Sequence, residues 1–179
     1  MASNLQLILG GARSGKSRYA LNQGGESSYG SRIFLATATA ADEEMKDRIE
    51  HHRVQRGPEW KTIEEPYRLA DKLEEIGLQE NQLLVIDCAT LWISNLLCGM
   101  GGKALSPSEA RKEFETLFQM LKRQKGGVRI VSNEVGLGVV PDNPLARVFQ
   151  DLQGEFNQSL AAIAGQVILM TAGLPQKIK

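Results

Sequence analysis

Cysteine is nearly absent from this chain: Cys88 and Cys98 are the only two in 179 residues. That count excludes a disulfide-stapled scaffold, and their spacing is not a zinc motif, so each is expected to act as a small apolar filler. An excess of charge of one sign is lacking too. The 21 basic and 21 acidic residues cancel, and no Lys/Arg cluster is dense enough to track a phosphate backbone, so nucleic acid is not expected as a partner. No apolar run approaches the ~20 residues that span a bilayer. The opening MASNLQLILGG has no charged segment leading into a long apolar one, so no signal peptide is read there and the expected location is cytoplasmic. Histidine is scarce as well: His51 and His52 are the only two, side by side. Internal repeats and low-complexity linkers are missing, and residues 1–179 are read as one domain. A chain of this size buries roughly 70% of its unfolded surface on folding.

What is present is an alternation. Short apolar runs recur at LQLIL (5–9), RIFLAT (32–37), QLLVID (82–87), VRIVS (128–132) and QVILMT (166–171). Longer amphipathic stretches lie between them, so strands should alternate with helices around a mostly parallel sheet. Near-continuous hydrophobicity in the strands suits a sheet covered on both faces. Pro66 is expected to open a helix through PYRLADKLEEIG, with Gly77 closing it. SPSE at 106–109 reads as a capping box ahead of ARKEFETLFQMLKRQKG, and a long helix should cover roughly 143–164. The glycine-rich CGMGGKAL (98–105) is expected to form an exposed loop.

The most informative stretch is GGARSGKS, residues 10–17. Gly10, Gly11, Ala12, Arg13, Ser14, Gly15, Lys16 and Ser17 match G-x-x-x-x-G-K-[ST], and the match stands between an apolar strand and a helical segment. Glycines let the backbone turn its N–H groups around a phosphate, and the helix N-terminus adds its positive dipole. Lys16 should reach the β- and γ-phosphates and the Ser17 hydroxyl should ligate Mg²⁺. A bland glycine turn would need neither. The chain is therefore expected to bind a nucleoside triphosphate.

QLLVID ends in Asp87. A carboxylate there either holds the metal at the C-terminal end of a buried strand or caps the helix beginning at Ala89. VRIVS is followed by Asn133 and Glu134 on a Gly/Pro-rich loop, which suits either an acceptor-substrate site or a purely structural turn.

ADEEMKDRIEHHRVQR (41–56) looks helical, acidic early and basic late. Its apolar face is thin, so the helix should project at the edge of the sheet, which weakens a core role for the histidines. Adjacent positions on a helix point about 100° apart, which disfavours a shared metal. An exposed imidazole flanked by Arg48, Arg53 and Arg56 fits contact with a phosphorylated ligand, covalent attack on one, or chance surface placement.

Taken together, GGARSGKSRYA, DEEMKDRIEHHRVQR with GPEWKTIEEP, IDCATLWISNLL and SNEVGLGVVPDNPLARVFQDLQGEFNQSLA resemble the bifunctional adenosylcobinamide kinase / adenosylcobinamide-phosphate guanylyltransferase family of cobalamin biosynthesis. The resemblance runs nearly end to end. It implies a RecA-like P-loop domain, an α/β fold, and a homotrimer in which the histidine helix extends beside a neighbouring subunit. It also implies two reactions. ATP or GTP phosphorylates the aminopropanol hydroxyl of adenosylcobinamide; GMP from GTP then passes to that phosphate, releasing pyrophosphate. The family's histidine–GMP intermediate falls on His52. Its guanine-nucleotide contacts fall on residues 10–17, on Thr37, Ala38 and Thr39, on Arg53, Val54, Gln55 and Arg56, and on Glu64 and Asp87. Some members carry Glu at the position of Asp87, which keeps the charge with a longer reach.

Chemistry makes the pairing of P-loop and histidine intelligible. A P-loop exposes the γ-phosphate, whereas nucleotidyl transfer needs attack at the α-phosphate. A separate nucleophile on a projecting helix could store GMP and pass it on. Two rivals remain at this level: a P-loop kinase of another small molecule without nucleotidyl transfer, and a RecA-like nucleotide switch acting through protein partners. The kinase would yield a monophosphate and stop.

Overall fold

The computed structural model describes residues 2–22, 29–39, 43, 56–99 and 102–179. The expected histidine helix at 41–56 therefore lies, apart from Glu43 and Arg56, outside the described residues, as do His51 and His52. Seven strands form one sheet: β1 (Ala2–Gly10), β2 (Ser31–Ala36), β3 (Trp60–Glu64), β4 (Gln82–Asp87), β5 (Gly127–Val131), β6 (Ala164–Thr171) and β7 (Leu174–Lys177). Their order is β3-β2-β4-β5-β1-β6-β7. Every pairing is parallel except β6–β7.

The five apolar runs became β1, β2, β4, β5 and β6, the buried middle of this sheet. The two edges were not expected as strands. β3 buries Trp60 while exposing Lys61 and Thr62, and β7 is exposed throughout with Pro175 in it. Edge strands need little hydrophobicity and tolerate proline, so a search for apolar runs passes them by.

The described residues hold the helices α1 (Lys16–Asn22), α2 (Leu69–Ile76), α3 (Ala89–Cys98), α4 (Pro107–Arg123) and α5 (Pro144–Ile163). The capping box of α4 is present in both directions: the Glu109 N–H donates to Ser106 Oγ at 3.3 Å, and the Ser106 N–H donates to Glu109 Oε2 at 2.7 Å. Asn143 caps α5 ahead of Pro144, its Oδ1 accepting from the Ala146 N–H at 3.1 Å. The start of α2 differs from expectation. The Glu65 carboxylate accepts from the N–H groups of Tyr67 and Arg68 at 3.0 and 2.8 Å, so residues 66–68 form a side-chain-held turn and the helix begins at Leu69. Gly77 ends it as expected, in the left-handed region with φ +52°.

Helices α2 to α5 and one face of the sheet enclose the larger apolar cluster, while α1 packs on the other face through Ala20. At the centre of the larger cluster Trp92, Phe114 and Phe156 meet with ring centroids 5.1–5.8 Å apart. The Trp92 indole N–H is satisfied by the Tyr67 carbonyl at 2.7 Å, so this large side chain is buried at little polar cost. Phe156 is fully buried where α3, α4 and α5 converge. Phe156→Ala should lower stability by about 3–5 kcal/mol, a value urea unfolding followed by tryptophan fluorescence will measure.

Candidate active site: a phosphate cradle at the strand ends

Six parallel strands place their C-terminal ends along one edge, where open α/β sheets bind ligands. β1 reaches this edge at Gly10 and turns into residues 11–15 before α1 opens at Lys16. Only glycine serves at Gly10 (φ +148°): a Cβ there would stand 2.5 Å from the Met170 carbonyl oxygen and 2.7 Å from Ser14 Oγ. Gly15 (φ +94°) likewise lies where side chains are strained. The loop is tied to the β6–β7 turn by the Gly173 N–H donating to the Ser14 carbonyl at 3.0 Å. Ala12 and Arg13 are exposed at its rim, and Ser17 is half-buried.

Two polar groups lie inside the cradle. Lys16 is buried, and its ammonium donates to the Gly11 carbonyl at 2.6 Å. Ser14 Oγ is buried without a hydrogen-bond partner among the described residues. A buried hydroxyl is ordinarily satisfied, so this atom is suited to an incoming acceptor such as a phosphate oxygen. A triphosphate would also offer Lys16 a charged acceptor, a stronger hydrogen bond than that to the Gly11 carbonyl.

Asp87 ends β4, level with Ala36 of β2 and Val131 of β5. It does not cap α3. That role falls to Cys88, whose sulfur accepts from the Leu91 N–H at 3.4 Å. Cys88 is thus more than the filler expected, and Cys98 is no filler at all, being exposed at the end of α3. Burial pushes the Cys88 thiol up to about 12; the Asp87 carboxylate pushes the same way and the Lys16 ammonium the opposite way. Lys16 and Asp87 are therefore both close enough to act electrostatically on this one buried thiol, with opposite sign. Ser17 and Asp87 supply hard oxygen donors, the kind Mg²⁺ prefers.

Thr37 is fully buried. Its hydroxyl donates to the Cys88 carbonyl and accepts from the Cys88 N–H, both at 2.8 Å, and its own carbonyl accepts from Asn95 Nδ2 at 2.9 Å. Its side chain locks the end of β2 to the β4–α3 junction, leaving half-buried Ala38 and Thr39 as the positions that reach outward. Glu64 is exposed at the end of β3, level with Ala36. Arg56, expected on an exposed helix, is instead buried with its guanidinium 4.0 Å from the centroid of the Phe34 ring. Arg53, Val54 and Gln55 lie outside the described residues.

Beyond β5 stands a network that sequence reading did not anticipate. Asn157 Nδ2 donates to the Asn133 carbonyl and to Glu134 Oε1, both at 3.1 Å, while Asn157 Oδ1 accepts from Ser132 Oγ at 2.7 Å and Gln153 Nε2 at 3.0 Å. Thr90 Oγ1 receives the Asn133 N–H at 2.8 Å. The signal was available: Gln153 and Asn157 are four apart on the otherwise apolar inner face of α5, beside Leu152, Phe156 and Leu160. From the expected 98–105 loop, Gly102, Lys103 and Leu105 join Tyr67, Arg68 and Asn95 around a cavity of about 180 Å³.

A strand, a glycine turn and a lysine opening a helix, with an acidic strand end two strands away, define a P-loop nucleotide-binding enzyme of the α/β class. The comparisons narrow this. The family model for cobinamide kinase / cobinamide phosphate guanyltransferase matches residues 6–178. The bifunctional adenosylcobalamin biosynthesis protein CobU of Escherichia coli (strain K12) is 40% identical over 182 residues, 97% of this chain and 98% of that protein. The corresponding CobP of Pseudomonas aeruginosa is 42% identical over 174 residues, 97% of this chain and 96% of that protein. The chain belongs to the cobinamide kinase / cobinamide phosphate guanyltransferase family.

The Cys88 environment yields a test. A disulfide reagent at pH 8 should label one thiol quickly in the native protein, Cys98, and two after denaturation. Because folding raises the Cys88 value from an ordinary 9.0 to about 12, the folded state holds this proton more tightly. Its contribution to stability is complete below pH 9 and is lost as pH rises towards 12. Unfolding of Cys88→Ala should show a shallower alkaline decline.

Proposed function

We propose that this chain performs both reactions of its family. It phosphorylates adenosylcobinamide with ATP or GTP, then transfers GMP from GTP to the product, releasing pyrophosphate and leaving adenosylcobinamide-GDP. The observation that carries the reading is the turn at residues 10–17, with Lys16 buried and Ser14 Oγ buried without a partner among the described residues, in a chain matched by the family over residues 6–178.

In the kinase step the loop N–H groups and Lys16 hold the β- and γ-phosphates. Lys16 neutralises charge as the γ-phosphoryl group leaves. Ser17 and Asp87 would hold Mg²⁺, which would supply positive charge to offset that of the phosphates. Thr37 acts through its buried latch to Cys88, fixing Asp87 and presenting Ala38, Thr39 and Glu64 to the nucleotide. Arg56 lines the same side of the sheet, and Arg53, Val54 and Gln55 complete the guanine-nucleotide contacts.

His52 is the nucleophile of the second step. Neutral imidazole is available near pH 7 and can displace pyrophosphate from the α-phosphorus of GTP, storing GMP for the phosphorylated acceptor. The working assembly is a homotrimer in the cytoplasm. Support for a covered surface comes from the loop after β5, where Leu137 and Val139 are 89% and 93% exposed and Val140 is exposed beside them.

Intact mass after incubation with GTP and Mg²⁺ tests the mechanism. Wild type and His51→Ala should gain one GMP that is lost in acid and kept in base, and His52→Ala should gain none. A plain kinase would gain none in any form while still phosphorylating its acceptor. Lys16→Ala should abolish phosphoryl transfer. In light scattering the native protein should have the mass of three chains.

A further inference from the structure

We infer that Glu134 is the group that takes the proton from the acceptor's hydroxyl in the kinase step. The inference rests on the kinase reading above and extends it to the residue facing the acceptor.

Position comes first. β5 lies between β1, which carries the cradle, and β4, which carries Asp87. The chain leaving β5 continues alongside β1: the Ser132 N–H donates to the Ile8 carbonyl at 2.9 Å and the Glu134 N–H to the Gly10 carbonyl at 3.2 Å. Gly10 is the first residue of the cradle, so Glu134 is bonded directly to its base. Asp87 is level with Val131, three residues short of Glu134. Two carboxylates therefore stand at successive depths on neighbouring strand ends. The deeper one, Asp87, suits the metal; the outer one, Glu134, stands further along the strand ends, bonded through its backbone to the base of the cradle.

Orientation comes second. Glu134 Oε1 accepts from Asn157 Nδ2 at 3.1 Å. Asn157 is buried and cannot rotate freely, because its Oδ1 accepts from both Ser132 and Gln153, themselves fully buried. Its amide nitrogen also holds the Asn133 carbonyl, and Thr90 holds the Asn133 N–H. One carboxylate oxygen is thus pinned by a rigid amide network, while Oε2 has no partner among the described residues. Glu134 itself is half-buried, reachable from solvent. A structural turn would not need a buried Gln–Asn–Ser network under one glutamate; a base that must be held in a fixed direction does.

The step balances. Oε2 accepts the hydroxyl proton of the acceptor alcohol as its oxygen bonds to the γ-phosphorus. The bond from that phosphorus to the β,γ-bridging oxygen breaks, and the nucleoside diphosphate leaves with its charge offset by Lys16. The proton then passes from Glu134 to water. Nucleotidyl transfer needs no such base at this position, because its acceptor is already an ionised phosphate.

Glu134→Gln tests this. The amide keeps an oxygen for Asn157 but cannot take a proton. The expected result is a fall in kinase kcat of about 10²–10⁴-fold, the usual range for a general base. The KM for cobinamide and the Kd for GTP should stay within threefold, and GMP loading and transfer to chemically phosphorylated cobinamide should be unchanged. A kinase kcat within threefold of wild type, or equal losses in kinase and transferase, overturns the assignment. If the melting temperature of this variant falls, Glu134→Asp is measured instead: the charge stays but the reach shortens, and the same selective loss of kinase kcat supports the assignment, while full activity overturns it. Wild-type enzyme that phosphorylates no cobinamide at all would refute the kinase reading itself, a separate result.

Discussion

Parallel pairing of β5 with both β1 and β4 is the constraint on which the rest of this structure depends. It inserts one strand between the strand that ends in the phosphate cradle and the strand that ends in Asp87. Because all three run the same way, Gly10, Asp87 and Glu134 arrive on one edge although they are far apart in sequence. A parallel sheet must be covered on both faces, and the helices that cover it also bring Thr90, Gln153 and Asn157 under that edge. The packing that stabilises the fold and the placement of the chemistry have the same origin.

Burial at this edge is polar to an unusual degree. Thr37, Ser132, Gln153, Asn157, Asn95 and Lys16 are all buried near the strand ends. Each is costly to bury alone, and each finds backbone or amide partners there, so the cost is offset by fixed geometry. Fixed geometry is what phosphoryl transfer demands, since it depends on positioning and electrostatics more than on covalent chemistry. The Cys88 thiol is the neutral member of this set. Burial and Asp87 hold it protonated, so it caps α3 without adding charge beside the Asp87 carboxylate.

Legibility varied for definable reasons. Buried strands, the capping box at Ser106–Glu109, the cap at Gly77 and the strand–turn–helix form of 10–17 are local patterns, and each was read correctly. The edge strands β3 and β7 were missed because an edge needs backbone partners and little hydrophobicity. The start of α2 was misplaced because Glu65 captures two N–H groups that Pro66 alone suggested would be helical. Arg56 was read as exposed because its sequence neighbours are charged, and only the fold brings Phe34 beneath it. Asn133 and Glu134 were noticed at a strand end, yet the network that orients them comes from a helix about twenty residues later in the chain.

By itself the sequence determined the class of chemistry: a glycine-rich turn between strand and helix, with Lys16 and Ser17 in register, is the pattern of a phosphate cradle, and it is set within eight consecutive residues. It also determined the family, through motifs spread along nearly the whole chain. Tertiary structure decided which side chains stand beside that turn. Strand order chose Glu134 as the cradle's neighbour and set Asp87 behind it, and helix packing placed Asn157 where it could aim a carboxylate. Those are long-range choices, made by sheet topology and burial, and no local pattern encodes them.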